Sequence, residues 1–220
     1  MNAKAFFFDA HNVLYYRPAG ETQFDTFLKV RDIKGDIKAA KNSTADLRDL
    51  SMRGKIKLKD YRITFLKACG VTDPVLIEQG LTALQNDQAN VALFDGVTET
   101  ITTLKSLKIK VGIITDAAVT KLCKLNWIRS CGLRIVWDAY ANSMNLGTRK
   151  PDPCMYQTAL QQARITHLDS VFVGHAPHEL QGARMVGLTT VAFNPDPGAE
   201  ADYFIESFSD LLTLPFYRVP

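Results

Sequence analysis

The sequence predicts an α/β protein: a parallel sheet flanked by helices, with an all-helical segment inserted after the first strand. Three observations carry this. Short apolar runs alternate with stretches whose apolar residues recur at helical spacing. Several of those runs end at a polar residue or glycine, the punctuation of a buried strand opening into a loop. Between about residues 16 and 90 that alternation stops, and no clear buried strand is found.

The elements follow in order. Ala5–Phe8 is a compact β-like run ending at Asp9. Residues 110–114 (KVGII) form a second and end at Thr115, and residues 134–137 form a third. Residues 170–173 (SVFV) end at Gly174, and Thr189–Phe193 is the fifth. Residues 97–107, 118–130, 152–163 and 179–186 carry helical periodicity and fill the gaps. The interruption reads as helices over 21–31, 57–69 and 73–85, the last opened by Asp73 before Pro74, a cap residue ahead of a proline. The expected division is therefore a core of residues 1–15 and 91–220 and a helical unit of residues 16–90.

Composition removes whole classes of function. At 46% hydrophobic and 22% charged, the chain has the apolar material for a core, so wholesale disorder is excluded. A net charge of +3 is too small to point to nucleic acid. No apolar run approaches the roughly 18 residues of a membrane span. The N-terminal apolar run is broken at Asp9, unlike a secretory leader, so a cytoplasmic protein is expected. The four cysteines form no CxxC pair and read as reduced thiols. The positive charge is concentrated: residues 31–67 hold 11 basic and 5 acidic residues. Such a cluster is either a solvated helical surface or a means of drawing a small anion toward a site beneath it.

In open parallel sheets, ligands bind at the carboxyl ends of the strands. The residues there are Asp9 with His11, Thr115 with Asp116, and Gly174 with His175; Lys150 stands in a Gly-Thr-Arg-Lys-Pro-Asp-Pro loop before a helix. A carboxylate, a hydroxyl and a lysine together can attack an electrophile beside negatively charged oxygens.

FFFDAHNVL, VGIITDA, GTRKPDPCMYQTAL and VFVGHAPHELQGARMVGL occur in that order, followed by ADYFIESFSDLL. With these motifs the chain resembles the haloacid dehalogenase-like hydrolase superfamily over nearly its whole length. The resemblance implies a Rossmann-like parallel sheet core with a helical cap inserted after the first motif. It implies that Asp9 attacks to form a covalent aspartyl ester, that Thr115, Asp116 and Lys150 hold the small anionic substrate, and that water then hydrolyses the ester. Phosphate esters are the default substrate class. In the family's phosphatases Mg²⁺ is held by the first aspartate, by the backbone carbonyl two residues on and by an aspartate of the fourth motif.

Two replacements depart from that pattern. His11 stands where the proton-transferring second aspartate is expected, and its imidazole can take over that role near neutral pH or simply bond the loop backbone. His175 stands where the metal-binding aspartate is expected, with Glu179 as the later acid. Mg²⁺ prefers oxygen, so no cofactor is firmly predicted, and Asp9 and His175 are the candidate metal ligands. His175, His178, Glu179 and Asp9 also contain the ingredients of a two-histidine, one-carboxylate site. Lys150 either meets the substrate or bridges Asp9 and Glu179 as a structural ion pair, and Arg17, Arg31 and Lys41 are candidates to reach a substrate from the helical unit. Two alternatives stand beside the phosphate-ester reading. One is a metal-independent 2-haloacid dehalogenase, whose halide leaves without a proton and for which Glu179 activates water. The other is a lapsed enzyme retained as a binding protein.

Overall fold

The structure is a computed structural model and describes residues 3–216. In chain order its strands and helices are β1 Ala5–Phe8, β2 Tyr15–Tyr16, α1 Gln23–Val30, α2 Ile37–Ser43, α3 Ala45–Met52, α4 Leu58–Ala68, α5 Pro74–Ala89, β3 Ala92–Leu93, α6 Val97–Ser106, β4 Lys110–Thr115, α7 Lys121–Ser130, β5 Ala139–Asn142, α8 Ser143–Leu146, α9 Pro153–Ala163, β6 Ser170–Gly174, α10 Pro177–Met185, β7 Thr189–Phe193 and β8 Tyr203–Ile205. Six strands form one sheet in the order β5-β4-β1-β6-β7-β8, with every pairing parallel. This is the α/β, Rossmann-like architecture expected from the alternation of runs.

Side-chain alternation along β1 explains how the sheet is covered on both faces. Phe6 and Phe8 join a cluster with Ile101 and Leu104 of α6, Ile128 of α7 and Phe208. Phe7 points the other way and meets Met155, Tyr156 and Ala159 of α9 and Leu180 and Ala183 of α10. Gly112 on β4 makes room for that ring: a Cβ there would lie 2.7 Å from Phe7 Cδ1 and 2.9 Å from Ala139 Cβ.

Between β2 and β3, which pair antiparallel, lie helices α1 to α5 with an apolar cluster of their own that includes Phe24, Leu28, Phe65, Leu66, Ile77 and Leu81. Local chemistry sets their starts. Thr22 and Asp25 form a reciprocal capping box on α1, and the Asp73 carboxylate accepts from the Val75 and Leu76 amides of α5. Asp87 of α5 accepts from the Gln23 and Phe24 amides, tying α5 to the start of α1. Contact with the sheet side runs through α3: the Met52 carbonyl accepts from Ser143 Oγ at 2.7 Å, and Asp49 pairs with Arg149 at 2.5 Å.

One expected strand is corrected. Residues 134–137 are an irregular connector with Val136 79% exposed, and the edge strand is β5, Ala139–Asn142, five residues further on. Its small residues Ala139 and Ala141 fit the tight face over Gly112, a packing demand that outweighs the stronger strand propensity of the Ile-Val-Trp run. Helices α2 and α3 were not expected from the sequence. Among the described residues, no helix is long and apolar enough to cross a membrane.

Phe7→Ala should lower the unfolding free energy by about 3–5 kcal/mol, the range for deleting a fully buried phenylalanine. Urea denaturation followed by tryptophan fluorescence measures it.

Candidate active site

Every strand-end residue singled out in the sequence lies at the carboxyl edge of the sheet. Asp9 follows β1, and its amide donates to the Val173 carbonyl, continuing the ladder one residue past β1. Thr115 ends β4 with Asp116 beside it; Gly174 ends β6 and His175 follows; Glu179 lies in the first turn of α10. Lys150 enters from the loop between α8 and α9. Its backbone amide donates to Asp116 Oδ1 at 3.2 Å, which ties that loop to the end of β4.

The centre of the cluster is one ammonium between two carboxylates. Lys150 Nζ lies 2.5 Å from Asp9 Oδ1 and 2.5 Å from Glu179 Oε1. All three are buried, and the Lys150 side chain is fully shielded from solvent. Both functions read for Lys150 therefore fall on the same atom: it bridges the two acids and it stands at the proposed nucleophile. Burial works to lower the Lys150 ammonium, but Asp9, Glu179 and Asp116 outweigh it and hold the group well above its ordinary range. For Glu179, burial and the neighbouring Asp9 charge raise the carboxyl above the usual range, against the opposing pull of Lys150.

His175 completes this group. Its Nε2 is 3.9 Å from Asp9 Oδ2 and 4.0 Å from Glu179 Oε2, and its Nδ1 is 3.2 Å from Asp196 Oδ2. His178 does not join it. That exposed ring falls with Asp116 and Glu179 in a second grouping, so the four-residue set expected from the sequence divides in two around Glu179. The oxygen-rich, octahedral shell that Mg²⁺ demands does not fit this donor set, because a ring nitrogen stands where an oxygen is required.

Beside the cluster lies a cavity of about 220 Å³ lined by His11, Arg17, Tyr61, Arg62, Asp116 and Lys124, among others. A larger depression of about 640 Å³, lined by Gln181, Arg184 and Glu200, includes none of the strand-end residues. In the smaller cavity, burial and then Arg17 push His11 down to about 4, so its imidazole is neutral at pH 7 and carries no proton to give as a cation. The three cationic candidates from the helical segment separate. Arg17 lines the cavity. Lys41 lines a neighbouring one with Arg48, Asp49 and Arg149. Arg31 instead donates to Gln79 at 3.0 Å on the exposed surface.

The sequence reading missed three residues. Lys124 of α7 is buried and donates to Thr115 Oγ1 at 2.7 Å. Burial, opposed chiefly by Asp9, lowers it to about 8. Its position one turn before buried Ile128 was the available signal. Asp196 lies three residues past the end of β7. Tyr156 of α9 donates to the Glu179 carbonyl at 2.7 Å and so joins α9 to α10 directly under the acid.

The profile of the haloacid dehalogenase-like hydrolase family matches residues 63–193, more than half of the chain. Solved structures align over nearly the full length. A 2-haloacid dehalogenase from Pseudomonas syringae pv. tomato DC3000 is 21% identical, covers 96% of this chain and 97% of its own, and superposes with a TM-score of 0.72. A predicted phosphoglycolate phosphatase from Haemophilus somnus is 14% identical, with coverages of 97% and 98% and a TM-score of 0.67. At such identities the likeness is one of fold. No curated protein matches.

Lys150→Met should lower the unfolding free energy by about 3–5 kcal/mol, because it leaves two buried carboxylates without their cation. Adding Glu179→Gln should recover part of that loss by removing one of the two charges. Equilibrium unfolding of both variants measures it; a Lys150→Met cost under about 1 kcal/mol, the worth of an exposed pair, would contradict this account.

Proposed function

Because this chain belongs to the haloacid dehalogenase-like hydrolase family, we propose that it is a hydrolase in which Asp9 is the nucleophile toward a small organic anion. The observation that carries the reading is the 2.5 Å contact of Lys150 Nζ with Asp9 Oδ1 inside a buried site. It holds the carboxylate in place and offsets part of its charge ahead of the attack. An Asp9 oxygen forms an ester bond to the substrate as the bond to the leaving group breaks. Water then attacks the ester and returns the Asp9 carboxylate. Lys150 offsets negative charge on the nucleophile and on the anion it approaches, and a preorganised cation of this kind acts most strongly where water is excluded. Thr115 keeps its hydroxyl hydrogen available to a substrate oxygen while its own oxygen accepts from Lys124. Helices α1 to α5 act as the cap over this end of the sheet and contribute Arg48 and Arg62 to the cavity.

Phosphate esters are the leading substrate class, supported by the concentration of Arg17, Arg48, Arg62 and Lys124 around one cavity. A 2-haloacid is the second, supported by a different observation: the position of the usual proton-transferring aspartate holds His11, and a halide leaves without a proton.

A panel of phosphate esters and 2-haloacids, assayed with EDTA, Mg²⁺ or Zn²⁺, separates these classes. Turnover of either should fall to background in Asp9→Asn, since an amide cannot form the ester. Full activity in that variant would remove the nucleophile, and a protein inactive on the whole panel would favour a retained binding role.

Lys124 gives a pH signature. It is charged below about pH 8 and neutral above it, with Thr115, Asp9, Asp116, Arg17 and Lys150 as its polar surroundings. KM for an anionic substrate should therefore rise as pH increases through about 8. Lys124→Met should raise KM about 10–100-fold at pH 7, the worth of one charge-assisted hydrogen bond, and flatten that rise. Steady-state kinetics from pH 6 to about 9.5 measures both.

A further inference from the structure

Each carboxylate of the buried cluster uses one oxygen on Lys150 and turns the other away from it. Asp9 Oδ1 and Glu179 Oε1 meet the ammonium; Asp9 Oδ2 and Glu179 Oε2 face His175 Nε2 at 3.9 and 4.0 Å. Glu179 is 6% exposed, and its Oε2 is buried without a hydrogen bond. A buried carboxylate oxygen with no donor is costly unless something positive occupies the space in front of it.

The histidine is oriented for such an occupant. Its Nδ1 edge lies 3.2 Å from Asp196 Oδ2, within ion-pair range. The Asp196 amide donates to the His175 carbonyl at 3.0 Å, which holds the two residues together. On the opposite edge of the ring, Nε2 faces the two carboxylates. A carboxylate behind a histidine whose far nitrogen faces further ligands is the usual supporting arrangement at a metal ion.

The geometry points to Asp9, His175 and Glu179 as ligands of a borderline divalent cation, with Zn²⁺ the best match, at a site that Mg²⁺ does not suit. One imidazole nitrogen and two carboxylate oxygens are an ordinary zinc donor set, with a fourth position open to water or substrate. Bonds of about 2.0–2.1 Å place tetrahedral ligand atoms about 3.4 Å apart; His175 Nε2 is already within about 0.6 Å of that spacing from each carboxylate oxygen, and all three ligand atoms lie within 4.8 Å of one another. The charge balance agrees: two carboxylates and one ammonium leave one net negative charge in the dark of the core, and a dication relieves the repulsion between Asp9 and Glu179. The other grouping, Asp116, His178 and Glu179, is the weaker candidate, because His178 is exposed and Oε2 is accounted for by the buried set.

The test is direct metal binding by the full chain, with no substrate and no activity readout, so its failure and that of the proposed hydrolase are separate results. Metal-free protein is titrated calorimetrically with Zn²⁺ and with Mg²⁺, and with Co²⁺ while its visible spectrum is recorded. One equivalent of Zn²⁺ should bind at least 100-fold more tightly than Mg²⁺. His175→Ala should remove that site, Asp196→Asn should weaken it about 10–100-fold, and His178→Ala should leave it intact. His175→Asp, which restores an oxygen ligand, should shift the preference toward Mg²⁺. The Co²⁺ complex should show weak d–d bands without a thiolate charge-transfer band, which sets the site apart from the four free cysteines. Equal affinity for Mg²⁺ in the unmodified protein overturns the inference without recourse to any variant. So does Zn²⁺ binding that survives His175→Ala, is lost in His178→Ala, or brings a thiolate band.

Discussion

Two carboxylates cannot share a buried site without a cation between them, and this requirement organises the functional end of the molecule. Asp9 and Glu179 come from opposite ends of the sequence and converge because β1 and β6 are paired neighbours. The Lys150 ammonium lies 2.5 Å from each of them. Its position in turn depends on the α8–α9 loop, held to β4 by Asp116 and to α3 by the Arg149–Asp49 pair. Beneath it, Gly182 lets α10 lie close to α9: a Cβ there would come within 2.7 Å of the Tyr156 hydroxyl and 2.8 Å of the Pro151 backbone. That hydroxyl is bonded to the Glu179 carbonyl. A disturbance anywhere along this chain of contacts reaches the ammonium.

The parts of the fold that were legible in the sequence are those governed by local rules. Ala5–Phe8 and Thr189–Phe193 are buried on both faces, so each is a nearly continuous apolar run that stands out from its surroundings. Asp73 before Pro74 announces a helix start by the chemistry of its own backbone. Edge strand β5 is different. Ala-Tyr-Ala-Asn has no strong strand signal, and it is a strand because its alanines fit where β4 has a glycine. Helices α2 and α3 are short and largely exposed, so their apolar periodicity is too sparse to separate them from loop.

The site was legible for the same reason and to the same extent. Residues at strand ends can be found once strands are found, and Asp9, Thr115 and His175 follow directly. Lys124 required helix phase as well: it shares the buried face of α7 with Leu125 and Ile128, and a lysine there is conspicuous only when the phase is known. Asp196 required the end of β7 to be read with the same attention as β1, β4 and β6. The neutral state of His11 could not be read at all, because it follows from burial and from Arg17, which reaches the same cavity across the turn that follows β1.

The concentration of basic residues in the helical segment resolves into two populations, which explains why charge counting alone is a weak guide there. Lys59 pairs with Glu78, and Lys29 with Glu21, both on exposed surface where such pairs contribute little. Arg48 and Arg62 instead line the cavity next to Lys124 and Arg17. Arg62 is half-buried and bonded to Gln88, so its guanidinium is already positioned before any anion arrives. Positions fixed in advance lose less entropy on binding than flexible surface lysines do. A small anion entering this end of the sheet therefore meets positive groups from α3, α4 and α7 on the cavity side and the Lys150 ammonium at the buried aspartate. The field that attracts the ligand and the charge that stabilises the nucleophile are supplied by different residues, so substitution at one can alter affinity without dismantling the other.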